Sequence, residues 1–99
     1  MTRVFVTYPG DAGTRFDRDY YVHRHLPLVL EAWRPYGLET VAAFFPCGDG
    51  AGTICICECV FRDDAAVKAS VAAPHTGLVM ADVKNFTDAI PSQLQATPL

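Results

Sequence analysis

Hydrophobic positions along the chain occur in short runs and at a longer period of four residues, and the short runs predict strands. The first strand is predicted at 3–8, where β-branched and aromatic residues follow Arg3 and a Pro-Gly pair ends the segment. Further strands are predicted at 38–47 and 53–61, with a glycine-rich hairpin turn at 48–52 between them. The polar, proline-containing tail at 85–99 contains at most one weak strand.

The longer period predicts the first helix. Tyr21, His25, Val29 and Trp33 recur every four residues, which places them on one side of a helix. Asp17 precedes this series and can accept a hydrogen bond from an amide of the first turn. The pattern therefore predicts a helix that begins near Asp17.

Pro27 lies inside this helical pattern. Its ring would clash with the carbonyl four residues earlier, and it disfavours helical angles at Leu26. Because proline is well tolerated at the first position of a helix, a second segment can begin there. We therefore predict two helical segments, 17–25 and 27–35, joined by a kink at His25 and Leu26.

Two further helical segments follow the third strand. Asp63 caps an alanine-rich segment at 64–73, and Pro74 starts a shorter one that runs to Asp82. The complete order is β-α-β-β-α-β, which predicts an α+β, ferredoxin-like fold with helices over one face of an antiparallel sheet. One domain, 1–99, accounts for the whole sequence.

The third predicted strand indicates a partner chain. It carries apolar side chains toward both faces, with Ile54, Ile56 and Val60 on one and Cys55, Cys57 and Cys59 on the other. The hydrophobic fraction of 51% is high for 99 residues, because a chain this short has a small core of its own. Two such sheets packed face to face would cover the remaining face, so we expect a homodimer.

Charge and hydropathy exclude several classes of partner. The net charge is −3 and the eight basic residues are scattered, which offers nucleic acid no positively charged surface. No apolar run reaches the roughly 20 residues that cross a bilayer, and no signal-peptide pattern starts the chain. We expect a cytoplasmic protein with no nucleic-acid or membrane partner.

Three of the four cysteines lie on one face of the third strand. Neighbours among Cys55, Cys57 and Cys59 are about 6.5–7 Å apart along the chain. This separation disfavours a disulfide, whose Cβ atoms lie about 3.5–4.5 Å apart, and it disfavours a zinc site. We expect free thiols that pack as small hydrophobic groups, and no metal.

Two blocks of sequence resemble a known family. The first comprises Phe16-Asp17, Tyr20-Tyr21 and His25-Leu26-Pro27-Leu28, and the second comprises Pro74-His75, Ala81-Asp82 and Asn85-Phe86-Thr87-Asp88. Together they resemble the recurring blocks of the EthD family, named for a protein encoded with an ethyl tert-butyl ether degradation system. Length and element order agree with the family as well.

The resemblance implies a dimeric α+β barrel with a cleft between sheet and helices in each subunit. Proteins of this superfamily are monooxygenases, isomerases, cyclases and decarboxylases of small, mostly apolar molecules, often without a cofactor. EthD proteins are often labelled oxidoreductases, although neither the family motif nor this chain contains a nucleotide-binding element. We therefore expect no cofactor and a small hydrophobic organic ligand.

His25 is the strongest candidate catalytic residue, and Tyr21 lies one helical turn before it. An imidazole beside a phenol can move a proton near neutral pH, so we expect His25 to act as acid or base and Tyr21 to orient the ligand. The alternative is that His25 caps the broken helix by bonding freed backbone groups. The candidate ligand-binding residues are Tyr20, His75, Phe86 and Tyr8.

Two functions stay open. The leading hypothesis is an enzyme that performs proton-transfer or oxidative chemistry on a small apolar or aromatic metabolite. The alternative is a non-catalytic ligand-binding or accessory protein of an oxygenase system, because no carboxylate that would orient His25 is evident. Convergence of His25 and Tyr21 on a closed cavity would favour the enzyme, and an open apolar groove would favour the carrier.

Overall fold

A computed structural model describes residues 1–98 and shows a four-stranded antiparallel sheet. The strands are β1 (Thr2–Pro9), β2 (Leu38–Phe44), β3 (Thr53–Phe61) and β4 (Ser92–Ala96). They lie in the order β2-β3-β1-β4, which confirms the predicted ferredoxin-like α+β fold. Leu99, the last residue of the predicted domain, lies outside the described residues.

Strand β2 ends three residues before the predicted boundary. Pro46 lies just beyond it and has no amide hydrogen to donate to a neighbouring strand. The weak strand predicted in the tail is β4, which pairs with β1 at one edge of the sheet.

Alternating side chains along β3 divide the sheet into two faces. Cys55, Cys57 and Cys59 are buried beneath the helices, where they pair in register with Tyr8, Val6 and Val4 of β1. This face of the sheet, with the helical side chains above it, forms the hydrophobic core.

The opposite face of the sheet is not covered by the helices. Phe44 and Leu94 lie on it with 54% and 63% of their surface exposed. Arg3 and Glu58 also lie on this face and form an ion pair, with 3.4 Å between Nε and Oε2. We refer to this surface, which also carries Ile56, as the open sheet face.

The first helical layer is one continuous run rather than two kinked segments. It consists of α1 (Arg18–Tyr20), a π-helical turn (Tyr21–His25), α2 (Leu26–Trp33) and a 3₁₀ turn (Arg34–Tyr36). His25 and Leu26 both have right-handed helical angles, with φ of −71° and −62°. The kink predicted at these two residues is therefore wrong.

The π-helical turn explains how the run accommodates Pro27. The Leu26 amide donates to the Tyr21 carbonyl, five residues back instead of four. Pro27 has no amide hydrogen, and its ring would clash with the His23 carbonyl in an ordinary α-helix. A wider turn relieves this clash, so the helix continues past the proline.

Both ends of this helical run are tied to other parts of the chain. At its start, the Asp17 carboxylate accepts the Tyr20 amide hydrogen at 3.0 Å, which confirms the predicted cap. The Asp17 amide donates to the Phe86 carbonyl at 2.8 Å. At its end, Gly37 has a left-handed φ of +109°, and a side chain there would clash with Ala66. Only glycine fits this position, so the helical run ends there.

The second helical layer consists of α3 (Asp64–Val71), α4 (Thr76–Asp82) and a 3₁₀ turn (Val83–Asn85). Asp63 caps α3 by accepting the Ala66 amide hydrogen at 2.8 Å. Helix α4 lies beside α2, where Trp33 Nε1 donates to Thr76 Oγ1 at 2.9 Å. No helix within residues 1–98 is both long enough and apolar enough to cross a membrane.

Candidate functional site

A cavity of about 40 Å³ lies between the sheet and the helices. Its floor is formed by strand residues, among them Val6, Tyr8, Cys57 and Cys59. One wall consists of Tyr21, His25, Val29 and Trp33, and the second helical layer closes the cavity with Val79, Met80 and Val83. The four-residue spacing in the sequence therefore marks one wall of the cavity.

His25 lies in this wall with 4% of its surface exposed. Its Nδ1 lies 2.9 Å from Oδ2 of Asp82, the last residue of α4. The expectation that no carboxylate orients His25 is therefore wrong. The capping alternative is also wrong, because the ring makes no capping bond to the backbone and bonds a carboxylate instead.

The contact with Asp82 determines which ring nitrogen faces the cavity. A carboxylate only accepts hydrogen bonds, so the Nδ1–H of the neutral ring is donated to Asp82. Nε2 then carries the lone pair and bonds no other group within residues 1–98. His25 lines the cavity, and Nε2 is the ring nitrogen that its contact with Asp82 leaves free for a ligand.

The electrostatics of the pair favour a neutral imidazole against an ionised carboxylate. Burial lowers the pKa of His25 below 6.5, although the hydrogen bond and charge of Asp82 oppose this shift. Burial alone would raise the pKa of Asp82, but hydrogen bonds from Tyr20, Asn85 and His25 outweigh it and hold that pKa below 3.8. A pair in this state can accept a proton at Nε2 and stabilise the imidazolium that forms.

Asp82 is held in place by two groups besides His25. The Tyr20 hydroxyl donates to Asp82 Oδ1 at 2.6 Å, and Asn85 Nδ2 donates to the same oxygen at 3.0 Å. Tyr20 does not line the cavity. The structure therefore places this predicted ligand-binding residue against the carboxylate that orients His25.

Tyr21 stacks on His25 and makes no hydrogen bond to it. Their ring centroids are 5.4 Å apart and their planes differ by 20°. Burial raises the pKa of Tyr21 well above 10.0, so its phenol stays protonated at neutral pH. Tyr21 can thus donate a hydrogen bond at the cavity but cannot serve there as a base.

Tyr8 and Phe86 extend the aromatic cluster around His25. The Phe86 ring is fully buried with its centroid 4.6 Å from that of His25, but it does not line the cavity. Tyr8 lines the cavity and packs edge-on against Tyr21 at 5.6 Å. The structure therefore puts Tyr8 within reach of a ligand and Phe86 in a supporting position.

Cys57 and Cys59 bring two thiols to the cavity floor. Their Sγ atoms are 3.9 Å apart, which is well beyond the roughly 2.05 Å of a disulfide bond. Both are free cysteines. Within residues 1–98, no three His, Cys, Asp or Glu side chains converge so as to hold a metal ion.

His75 lies apart from the cavity, on the surface. Its carbonyl accepts the amide hydrogens of Leu78 and Val79, so the residue begins helix α4 while its side chain faces solvent. Sequence reasoning missed Asp82 and Asn85 as parts of the site. Both belong to the second sequence block, and their spacing of three at a helix end was the available signal.

A second, larger depression of about 620 Å³ lies at the loop end of the sheet. Loop residues near Gly10 and Gly50 line it, together with Phe16 and Arg18. Phe16 packs against Tyr21, with ring centroids 5.2 Å apart. An aromatic layer therefore separates this depression from the cavity of His25.

Comparison with solved structures identifies proteins of the same fold. The crystal structure of an EthD-like protein from Ralstonia eutropha aligns with a TM-score of 0.80 and 24% identity, over 96% of this chain and 88% of that one. An ethyl tert-butyl ether degradation (EthD) family protein from Bacillus halodurans aligns with a TM-score of 0.74 and 15% identity, over 100% and 99% of the two chains.

More distant likenesses reach other proteins of the same architecture. SnoaB, a cofactor-independent oxygenase from Streptomyces nogalater, aligns with a TM-score of 0.61 and 10% identity, over 99% of this chain and 95% of that one. No curated protein matches the sequence significantly. The family model described as "EthD domain" matches residues 13–90, a range that contains both sequence blocks and the whole His25–Asp82 pair. The chain therefore belongs to the EthD family.

Proposed function

We propose that this protein is an enzyme that binds a small apolar or aromatic organic molecule in the His25 cavity and moves a proton on it without a separate cofactor. The observation that carries the proposal is the buried pair of His25 and Asp82, in which His25 lines the cavity and Asp82 occupies Nδ1 but not Nε2. Titratable groups with shifted pKa values and a specific charged partner inside a cavity are typical of catalytic sites.

The first step is proton abstraction by Nε2 of His25. The ring is neutral at neutral pH because burial lowers its pKa, and Asp82 stabilises the imidazolium that results. Tyr21 donates a hydrogen bond to an oxygen of the ligand and so stabilises the anion. Such an electron-rich anion can be protonated at another carbon, which gives isomerisation, or can pass electrons to molecular oxygen as the oxidant.

The size of the cavity limits the ligand. About 40 Å³ holds only a few water molecules, whereas sites for larger organic ligands measure roughly 300–1,000 Å³. Ligand entry therefore requires outward movement of side chains. Met80 is suited to this movement, since it closes the cavity, is 48% exposed and has a flexible, unbranched side chain.

The fold relatives are consistent with this proposal. SnoaB is described as a cofactor-independent oxygenase, and another chain of similar fold is described as an antibiotic biosynthesis monooxygenase, with a TM-score of 0.61. Both names describe enzymes that incorporate oxygen. In this protein, the side chains of the cavity would supply the acid and the base.

The active form in this proposal is a homodimer that buries the open sheet face. Exposed Phe44 and Leu94 give this face an apolar surface, which a second copy would remove from water. The ion pair of Arg3 and Glu58 would then lie inside the interface and help to determine how the two sheets align.

Hydrogen–deuterium exchange at the α-carbon of a ketone tests the proposal without knowledge of the natural substrate. The protein is incubated in heavy water with acetone or cyclopentanone, two small ketones of different size, and loss of the α-proton signal is followed by NMR. A protein-dependent exchange is expected, and His25→Gln should reduce it at least ~100-fold because the general base is lost.

His75→Gln is the matched control, because it removes an exposed histidine that does not line the cavity. Its exchange rate should equal that of the unmodified protein. Equal rates in the His25 and His75 variants would refute proton transfer by His25. Saturable ketone binding without any exchange would favour the non-catalytic carrier instead.

A further inference from the structure

The two thiols on the cavity floor have no role in the proton transfer proposed above. Cys57 and Cys59 alternate along β3, and both face the helices and line the cavity that contains His25. Their Sγ atoms are 3.9 Å apart, so either thiol can donate a hydrogen bond to the other. Together with His25, they form a group of nucleophilic and basic side chains around one space.

The surroundings of Cys57 differ from those of its neighbours. Its sulfur can accept a hydrogen bond from Cys59, and this lowers the pKa of Cys57 against the opposing effect of burial, with a further contribution from Tyr21. Burial instead raises the pKa of Cys55 to about 12. Buried thiols in apolar surroundings are normally unreactive. Cys55 also has Tyr21 as a donor, and Cys59 has Cys57. Cys57 is thus the buried cysteine that has two donors to stabilise its thiolate, Cys59 and Tyr21.

We propose that the cavity is also a covalent binding site, in which Cys57 adds to a small α,β-unsaturated carbonyl compound. The Cys57 sulfur forms a bond to the β-carbon, and the π electrons of the C=C bond move toward the carbonyl oxygen. The thiol proton passes to Nε2 of His25 and from there to the α-carbon. The product is a thioether that contains every atom of both reactants, so no oxidant or reductant is required.

The shape of the site selects which electrophiles can react. The cavity measures about 40 Å³ and is bordered by the exposed side chains of Met80 and Gln93. A short, narrow molecule therefore needs the least outward movement of these side chains to enter from that side. Methyl vinyl ketone has five heavy atoms in a nearly flat arrangement. N-benzylmaleimide carries a C=C bond that is at least as reactive toward thiols, on a much bulkier group, and serves as the size control.

Mass spectrometry of the folded protein tests this inference. Exposed Cys47 would react with any electrophile, so the experiment uses a Cys47→Ser variant, which keeps the three buried cysteines. Incubation with methyl vinyl ketone should add the mass of one reagent molecule, and peptide mapping should place it on Cys57. N-benzylmaleimide should not react on the same timescale.

Peptide mapping identifies the modified residue without any further substitution, so the result does not depend on whether a Cys57 variant folds. Equal modification of Cys55, Cys57 and Cys59 would overturn the proposal, as would the absence of any adduct. A modification rate that rises steeply in dilute urea would overturn it too, because the reaction would then proceed from unfolded molecules.

The outcome is independent of the ketone exchange assay. In a His25→Gln, Cys47→Ser protein, the adduct should still form on Cys57 but at least ~10-fold more slowly, because only the assisted proton transfer is lost. Adduct formation without ketone exchange would support the covalent site and refute the proposed proton-transfer enzyme. Ketone exchange without an adduct would do the reverse.

Discussion

Replacement of Asp82 by Asn removes the charge from the carboxylate that orients His25 and keeps the shape of the side chain. The carboxylate accepts hydrogen bonds from His25 and Tyr20 at 2.9 and 2.6 Å, and a third from Asn85 at 3.0 Å. An amide in the same position can accept at its oxygen only. Its NH₂ group would face donors that previously met a negative charge.

The cost in stability follows from burial and charge. The side chains of His25 and Asp82 are 5% and 12% exposed, so solvent screens their interaction little. A hydrogen bond to a charged group contributes about 1.5–3 kcal/mol and a neutral one about 0.5–1.5 kcal/mol. The mismatch of the NH₂ group adds to this difference, so Asp82→Asn should lower the free energy of unfolding by about 1–3 kcal/mol.

Two measurements check this expectation. Thermal unfolding at neutral pH should show a midpoint lower by about 4–8 °C for each kcal/mol lost in a domain of this size. NMR titration should show a pKa of His25 lower than in the unmodified protein, because the hydrogen bond and charge of Asp82 raise that pKa against burial. An unchanged or higher pKa of His25 would refute the pairing as described.

Asp88→Asn is the matched control for this variant. Asp88 pairs with Arg15 at 2.9 Å, but its side chain is 75% exposed, so the pair contributes little to stability. This control should leave the titration of His25 unchanged. If both variants shifted the pKa of His25 equally, a general change in net charge would explain the result.

Because burial lowers the pKa of His25 below 6.5, the unfolded chain binds a proton that the native state does not bind between the two pKa values. The free energy of unfolding should therefore fall as the pH drops from about 6.5 toward the folded-state pKa of His25, by at most about 1.4 kcal/mol per pH unit. Urea titrations at several pH values measure this fall. An equally steep fall in His25→Gln would show that another group causes it. Phe44→Glu should convert the proposed dimer to a monomer in light scattering, whereas Val71→Glu on a helix surface should not. A dimer that survives the first change would rule out the open sheet face as the interface. Phe86→Ala should lower the free energy of unfolding in chemical denaturation by about 3–5 kcal/mol, because the ring is fully buried. A loss below about 1 kcal/mol would contradict this and show that the aromatic cluster around His25 collapses into the space the ring leaves.

The order of elements was predictable because each strand and helix carries its own local signal. An almost continuous apolar run after a glycine-rich turn predicted β3, and an acidic cap predicted the start of α3 at Asp63. His25 and Tyr21 also emerged from local spacing, and both line one cavity. Their position on one side of the helix follows from helical periodicity, which is visible in a single sequence.

The pairing of His25 with Asp82 was not predictable in this way. The two residues are 57 positions apart, and they meet only because α4 packs beside α2. The continuous helix at Pro27 was missed for a different reason. Rules for proline describe ordinary α-helices, and here a wider turn removes the clash while Tyr21 and His25 stay buried.

The π-helical turn at Tyr21–His25 also has a consequence for alignments and for deletions. A turn closed by a bond to the fifth residue holds one residue more than an α-helical turn, so it is equivalent to an insertion into a regular helix. The flanking segments keep their own anchors, at Asp17 on one side and at Trp33 on the other. Alignment with a relative whose helix is regular therefore requires a one-residue gap between Tyr20 and Leu26. Without that gap, either Tyr20 or His25 is matched to a position on the wrong side of the helix. A single deletion in this segment would accordingly redirect the base of the site while both halves of the helix stay where they are.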